Sequence, residues 1–127
     1  MNTKPVGDKI TLPNGQVAPF SKAYKAGELL FVSGQLAFNA DSTLNTDDIA
    51  TQTTLCLKQI ANILAEEGLT KDNIVKLGIW LTDKNDFAEF NKAYAEFLGD
   101  HRPARSTVQS QLMLPGSKVE IEAIAAY

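Results

Sequence analysis

At 127 residues the chain has the length of one domain, residues 1–127, with room for a core that needs no staples. Twelve basic against fifteen acidic side chains leave a net charge of -3 without any Lys/Arg cluster, which argues against a nucleic-acid-binding surface. No apolar run approaches the roughly 18 residues of a membrane-spanning helix, and the N-terminal MNTKPVGDKI lacks the apolar stretch of a secretory signal. The single cysteine excludes an internal disulfide and suits a reducing, cytoplasmic setting. With His101 the only histidine, no transition-metal site is expected.

Residues 1–15 are polar and broken by Pro5, Gly7, Pro13 and Gly15, with Asn14-Gly15 as a turn signal of the hairpin kind. Val17 to Tyr24 reads as extended, Pro19 confining it to an edge or a strand start, and Lys25 to Glu28 reads as a turn. Leu29 to Leu36 (LLFVSGQL) is a strong strand. Leu30, Val32, Gly34 and Leu36 fall on one face; Phe31, Ser33 and Gln35 fall on the other. The polar pair on that second face marks either a functional surface or a wet edge.

After a loop from Phe38 to Asn45, Thr46-Asp47-Asp48 supplies a capping hydroxyl and first-turn acids for a helix from about Asp47 to Glu67, ended by Gly68. Ile49, Cys56, Ile60, Ala61 and Leu64 lie near one stripe, widened by Leu57 and Ile63, which makes Cys56 a buried, inert thiol. Ile74 to Leu81 (IVKLGIWL) is a nearly apolar strand, as expected of one covered on both sides. Asn85-Asp86 opens a second helix, with Glu89 completing a capping-box variant and Gly99 ending it. Its stripe of Phe87, Phe90, Asn91, Tyr94 and Phe97/Leu98 is core. Asn91, polar among aromatics, is a cap, a satisfied core amide or a site residue. His101 belongs to a loop, exposed or structural.

The C-terminal RPARSTVQSQLMLPGSKVEIEAIAAY reads as two strands joined by a turn at Leu114-Pro115-Gly116-Ser117. Arg105 and Thr107 share one face of the first strand. Glu120 and Glu122 share a face of the second, opposite the apolar Val119, Ile121, Ala123 and Ala125. Arginine offers a planar, permanently charged fork for a carboxylate or phosphate, and a glutamate beside it can hold and polarise a water. The plainer alternative is a cross-strand ion pair between Arg105 and Glu120 or Glu122. Two helices with five or six strands predict an α+β fold, a mixed sheet with both helices on one face. The uncovered face, rich in apolar side chains, predicts oligomerisation. There is no GxGxxG, P-loop, GxSxG or HExxH motif.

Pro103-Ala104-Arg105-Ser106 with Val119-Glu120-Ile121-Glu122-Ala123 resembles the signature of the reactive intermediate deaminase (Rid) family. Ser33-Gly34-Gln35 is similar to the family's S-G-Q strand, Asn91 to Phe97 to its N-x-x-Y-x-x-F helix, and Ala18 to Ala23 to its early G-P-Y-S-Q-A motif. The resemblance runs from about Ala18 to Ala125 in order and spacing. It implies a chorismate-mutase-like homotrimer whose sheets face the trimer core, with active clefts between subunits. It further implies cofactor-independent hydrolysis of reactive 2-imino and enamine acids to 2-oxo acids and ammonia. Carried over, Arg105 clamps the substrate carboxylate, Glu120 positions the attacking water, and Ser33 and Asn91 line the cleft. Two further cleft positions depart from the pattern: Phe20 replaces a tyrosine and Thr107 a cysteine. Ala18 and the missing proline after the SGQ strand depart as well. These departures keep open a non-catalytic trimer that binds small carboxylates, and more remotely a ribonuclease or translation inhibitor. No partner is expected beyond a small imino or oxo acid and further copies of the chain, neither nucleic acid nor membrane.

Overall fold

The sheet is built around β6, the strand with the most regular burial. Its Val119, Ile121, Ala123 and Ala125 are each at most 2% exposed, and a strand so covered belongs in the middle of a sheet. In the computed structural model, which describes residues 2–12 and 14–127, the strands are β1 (Thr3–Val6), β2 (Ala23–Ala26), β3 (Leu29–Gln35), β4 (Ile74–Leu81), β5 (Ala104–Gln109) and β6 (Val119–Ala126). Helix α1 (Ile49–Glu66) lies between β3 and β4, and α2 (Phe87–Leu98) between β4 and β5. The order across the sheet is β1-β2-β3-β6-β4-β5. Every neighbouring pair is antiparallel except β4 and β5, which are parallel and joined through α2.

Both helices pack on one face of this mixed sheet. Ile49, Cys56, Leu57, Ile60 and Leu64 of α1 and Phe90, Tyr94 and Leu98 of α2 form one cluster with Leu30, Val32, Leu77, Ile79 and the buried side of β6. The α+β expectation holds. The C-terminal hairpin does not: β5 and β6 are separated by β4, and residues 110–118 carry the chain over the end of β4. The reason is burial. The alternate side chains of β6 are fully covered and demand a central place, whereas β5 buries none of its residues fully and can lie at the edge.

Local expectations shift as well. Residues 3–6, read as a polar leader, pair with β2. The extended segment before Tyr24 forms a ladder only from Ala23, and Lys25 and Ala26 are part of it, so the turn narrows to Gly27-Glu28. Thr11 bridges Val17 around Asn14-Gly15; Pro13 lies outside the described residues. Asp48, not Thr46, caps α1, its carboxylate accepting from Thr51 N at 2.8 Å, and no acid occupies the first helical turn. The capping box at α2 does not form. A 3-10 turn, Lys84–Asp86, capped by Asp83, feeds into the helix instead. Within the chain β4 is covered on one side only: Ile74, Leu77, Ile79 and Leu81 are buried while Val75 and Lys76 are exposed. Gln52, buried and polar on the α1 stripe, donates to Asp47 O and Gly116 O and accepts from Lys118 N at 2.8 Å. It ties the start of the helix to the segment entering β6.

Candidate functional site

Arg105 is held by α2. Its β5 position pairs with Leu77, so its side chain enters the helix layer. There Nη1 donates to Asn91 Oδ1 at 2.8 Å. The rings of Phe87, Phe90 and Tyr94 lie 5.8, 5.5 and 4.9 Å from the guanidinium carbon. The helical spacing of these four α2 residues builds an aromatic cradle with one amide acceptor, in which cation–π attraction orients the cation. This settles Asn91: it is the partner of Arg105. The remaining N–H groups of the guanidinium have no acceptor among the described residues and are free for a planar anion. Burial raises the Tyr94 phenol, against the opposing influence of Arg105, so the ring stays neutral beside the cation. Thr107, two positions on, faces the same layer, and its hydroxyl oxygen is buried without a partner.

Glu120 lies on the other side of the sheet. It pairs with Trp80, one pleat out of phase with Leu77 and Arg105. Burial pushes its carboxyl above the ordinary value, and the charge of Glu122 on the same face adds to the rise. Room for it comes from the SGQ segment. Between Val32 and Gln35 the pairing with β6 shifts by one residue, a β-bulge. A Cβ on Gly34 would stand 2.1 Å from Glu120 Oε2, so only glycine lets the carboxylate lie against the bulge. The bulge also corrects the predicted alternation of β3. Gln35 turns to the helix side, where Gln59 Nε2 donates to its Oε1 at 3.2 Å. Ser33 stays in place, donating to Ser21 O at 2.6 Å.

The predicted site residues thus fall into separate groups. Arg105, Asn91 and Thr107 sit together at the helix-side rim. Phe20 and Ser33 line a hollow of about 350 Å³ on the open face with Tyr24, Phe31 and Glu122. Glu120 borders an adjoining hollow of about 230 Å³ with Trp80 and residues 110–113. Arg105 and Glu120 do not meet across adjoining strands, and no ion pair joins them within the chain. Glu122, to which the resemblance gave no role in the cleft, lines the hollow of Ser33, and Gly78 gives it space with a would-be Cβ 3.1 Å from its Cγ. The glycine in the β4 pattern was the available signal.

The remaining reactive groups are structural. Cys56 is fully buried, and burial with the charge of Glu120 pushes its thiol up to about 12. His101 donates through Nε2 to Ile74 O at 2.7 Å. Among the described residues no three His, Cys, Asp or Glu side chains converge to hold a metal.

The two-layer α+β fold thus presents a cradled arginine on one side of the sheet and a partly buried carboxylate on the other. The sequence model of the Endoribonuclease L-PSP family matches residues 13–127. Protein HMF1 of Saccharomyces cerevisiae is 39% identical over 109 residues, covering 86% of this chain and 84% of its own. The Rid family protein YyfA from Yersinia pestis superposes with a TM-score of 0.87 at 36% identity, over 99% of this chain and 100% of its own. The E. coli TdcF structure with bound serine does so at 0.80 and 32% identity, over 88% and 91%. The chain belongs to the Rid/YjgF family.

Proposed function

We propose that this protein hydrolyses reactive 2-imino and enamine acids, such as 2-iminobutanoate, to 2-oxo acids and ammonia, at clefts between the subunits of a homotrimer. The observation that carries the reading is the division of the site. Arg105 offers unused donors at the helix-side rim, and Glu120 stands on the open face. One chain cannot turn both toward one substrate; a second copy docked on the open face can. Phe31, Tyr24 and Val108, between 43% and 49% exposed on that face, are the apolar surface such docking buries.

In the cleft, Arg105 holds the substrate carboxylate in its fork while Asn91 and the rings keep the fork in place. Glu120, ionised, takes a proton from a water as the oxygen adds to the imine carbon. It returns that proton to nitrogen to give the carbinolamine, then relays the hydroxyl proton to the amine, and ammonia leaves as the carbonyl forms. The imine carbon is already electrophilic, so positioning and charge supply most of the acceleration. The raised proton affinity of Glu120 makes it a better acceptor than an ordinary glutamate. The cytoplasm is the proposed setting, the buried thiol fitting a reducing compartment.

The test is ammonia release from imines generated in situ by an amino acid oxidase, with Arg105→Ala beside the wild type. Acceleration over spontaneous hydrolysis, lost in the variant, supports the reading; none in the wild type overturns it for those substrates. A second reading, binding of small carboxylates without turnover, draws on the serine held by TdcF and on Phe20 and Thr107. Calorimetry showing 2-oxobutanoate binding by a protein inert in the assay would favour it. The family's ribonuclease description is the least suited to a chain of net charge -3.

A further inference from the structure

The carboxyl ends of the parallel strands β4 and β5, with the start of α2, enclose a crevice of about 190 Å³ lined by Leu81, Lys84, Phe87, Thr107, Val108 and Gln109. Parallel strands joined through a helix leave such a crevice at their carboxyl ends, a place where α/β units take ligands. This one continues from the arginine. Phe87 lines it and also faces Arg105, and Thr107 follows Arg105 by two positions on the same face of β5. The Thr107 hydroxyl oxygen is buried without a partner among the described residues, so Thr107 shapes the wall of the crevice and offers no donor to it. The Lys84 ammonium, at the mouth, makes no ion pair or hydrogen bond among the described residues, and the neighbouring Asp83 is engaged in capping the turn.

We propose that this crevice receives the distal carboxylate of a dicarboxylic 2-imino acid, making diacids the preferred substrates. The inference rests on the imine-hydrolysis reading above and names its substrate class. Arg105 takes the carboxylate beside the imine. The methylenes lie against Phe87 and Leu81, and Lys84 receives the far carboxylate. The bond changes are those of the parent reaction: water adds to C=N, ammonia leaves, and the distal group takes no part. A monoacid of equal length fills the same space but leaves the lysine unanswered, and a site built for a polar group rejects such an analogue.

The experiment compares hydrolysis of the imines made in situ from glutamate and from norvaline, in the wild type, Lys84→Met and Lys84→Arg. The readout is the ratio of the two kcat/KM values. The ratio is expected to favour the diacid in the wild type, to fall roughly tenfold or more in Lys84→Met, and to recover in Lys84→Arg. Lys84 is exposed, so the substitutions leave the core intact. A norvaline-derived imine that is hydrolysed, with a ratio that does not favour the diacid or does not respond to Lys84→Met, overturns this inference and leaves the deaminase reading standing. If neither imine is accelerated, the deaminase reading falls. Calorimetry with 2-oxoglutarate against 2-oxopentanoate then decides the crevice. Tighter diacid binding that Lys84→Met abolishes supports it, and equal binding overturns it.

Discussion

Gly34→Ala separates the architecture of the site from the stability of the fold. The added Cβ would lie 2.1 Å from Glu120 Oε2, 3.0 Å from Cδ and 3.3 Å from Cγ. Ordinary carbon contacts begin at about 3.5 Å, so the carboxylate must retreat by more than about 1 Å. What it meets is the far end of a flexible side chain, and the backbone of Gly34 is outside the left-handed region that demands glycine. The stability cost is therefore that of a displaced rotamer, about 0.5–1.5 kcal/mol. Misplacement of a reacting group by about 1 Å costs on the order of 10²-fold in rate. Gly34→Ala is thus expected to melt within a few degrees of the wild type while losing about two orders of magnitude in kcat/KM for imine hydrolysis. In a Glu120→Gln background the same substitution should add almost nothing, because the group it displaces is already disabled. A Gly34→Ala protein with wild-type kcat/KM would refute the assignment of Glu120 to water.

Gln52→Leu removes the amide joining α1 to Gly116 and Lys118 and leaves a backbone N–H and a carbonyl without partners; urea titration should show a loss of about 2–3 kcal/mol. Asn91→Ala frees the guanidinium of Arg105 from its one hydrogen-bond acceptor among the described residues. KM for the imine should rise more than kcat falls, whereas a purely structural role for Asn91 would show as a lowered melting temperature with KM unchanged. Glu122→Gln removes one of the two causes that raise the Glu120 carboxyl. Activity that needs ionised Glu120 declines as the pH drops through its raised value, so the acid limb of kcat/KM should move to lower pH in the variant, and a limb that stays or rises would contradict the coupling. The stability linkage has a matching sign. A carboxyl raised above 4.5 adds stability that is present below 4.5 and lost as the pH climbs through the folded value, so the variant should lose less stability over that window.

The helices were legible because their apolar residues recur at helical spacing: Ile49, Cys56, Ile60 and Leu64 in α1, Phe90, Tyr94 and Leu98 in α2. The face of β6 followed from alternation in the same way, whereas the apolar run of β4 concealed that only one of its sides is covered within the chain. Neighbourhood was not legible, because periodicity within a strand says nothing about which strand lies beside it. The Pro-Gly signal at residues 115–116 was real, and Gly116 has a φ of +89°, but a turn of this kind serves a connection over β4 as well as a hairpin. β1 carries a proline in only four residues and owes its state to β2. The bulge in β3 was hidden for a related reason. It inserts one residue against β6, and a period of two read through Ser33-Gly34 assigns Gln35 to the wrong face.

The same blindness to neighbours bears on the site. Spacing placed Arg105 and Glu120 on adjoining strands, where an ordinary ion pair was the simplest outcome; the register puts them one pleat out of phase and two strands apart. If the pair acts on one substrate, each working cleft takes its arginine from one subunit and its carboxylate from another. The Arg105→Ala and Glu120→Gln proteins should then both be inactive. Mixing them by unfolding and refolding together at equal ratio creates clefts in which an intact Arg105 faces an intact Glu120. Random assembly gives such clefts at about one quarter of the total, and the imine hydrolysis of the mixture should recover to about that fraction of the wild type. A site contained in one chain predicts no recovery at any ratio, since every subunit in the mixture carries a lesion. Recovery that tracks the product of the two subunit fractions, greatest at equal mixing, is the signature of a cleft shared between copies, and a flat null result would return Arg105 and Glu120 to separate, structural duties.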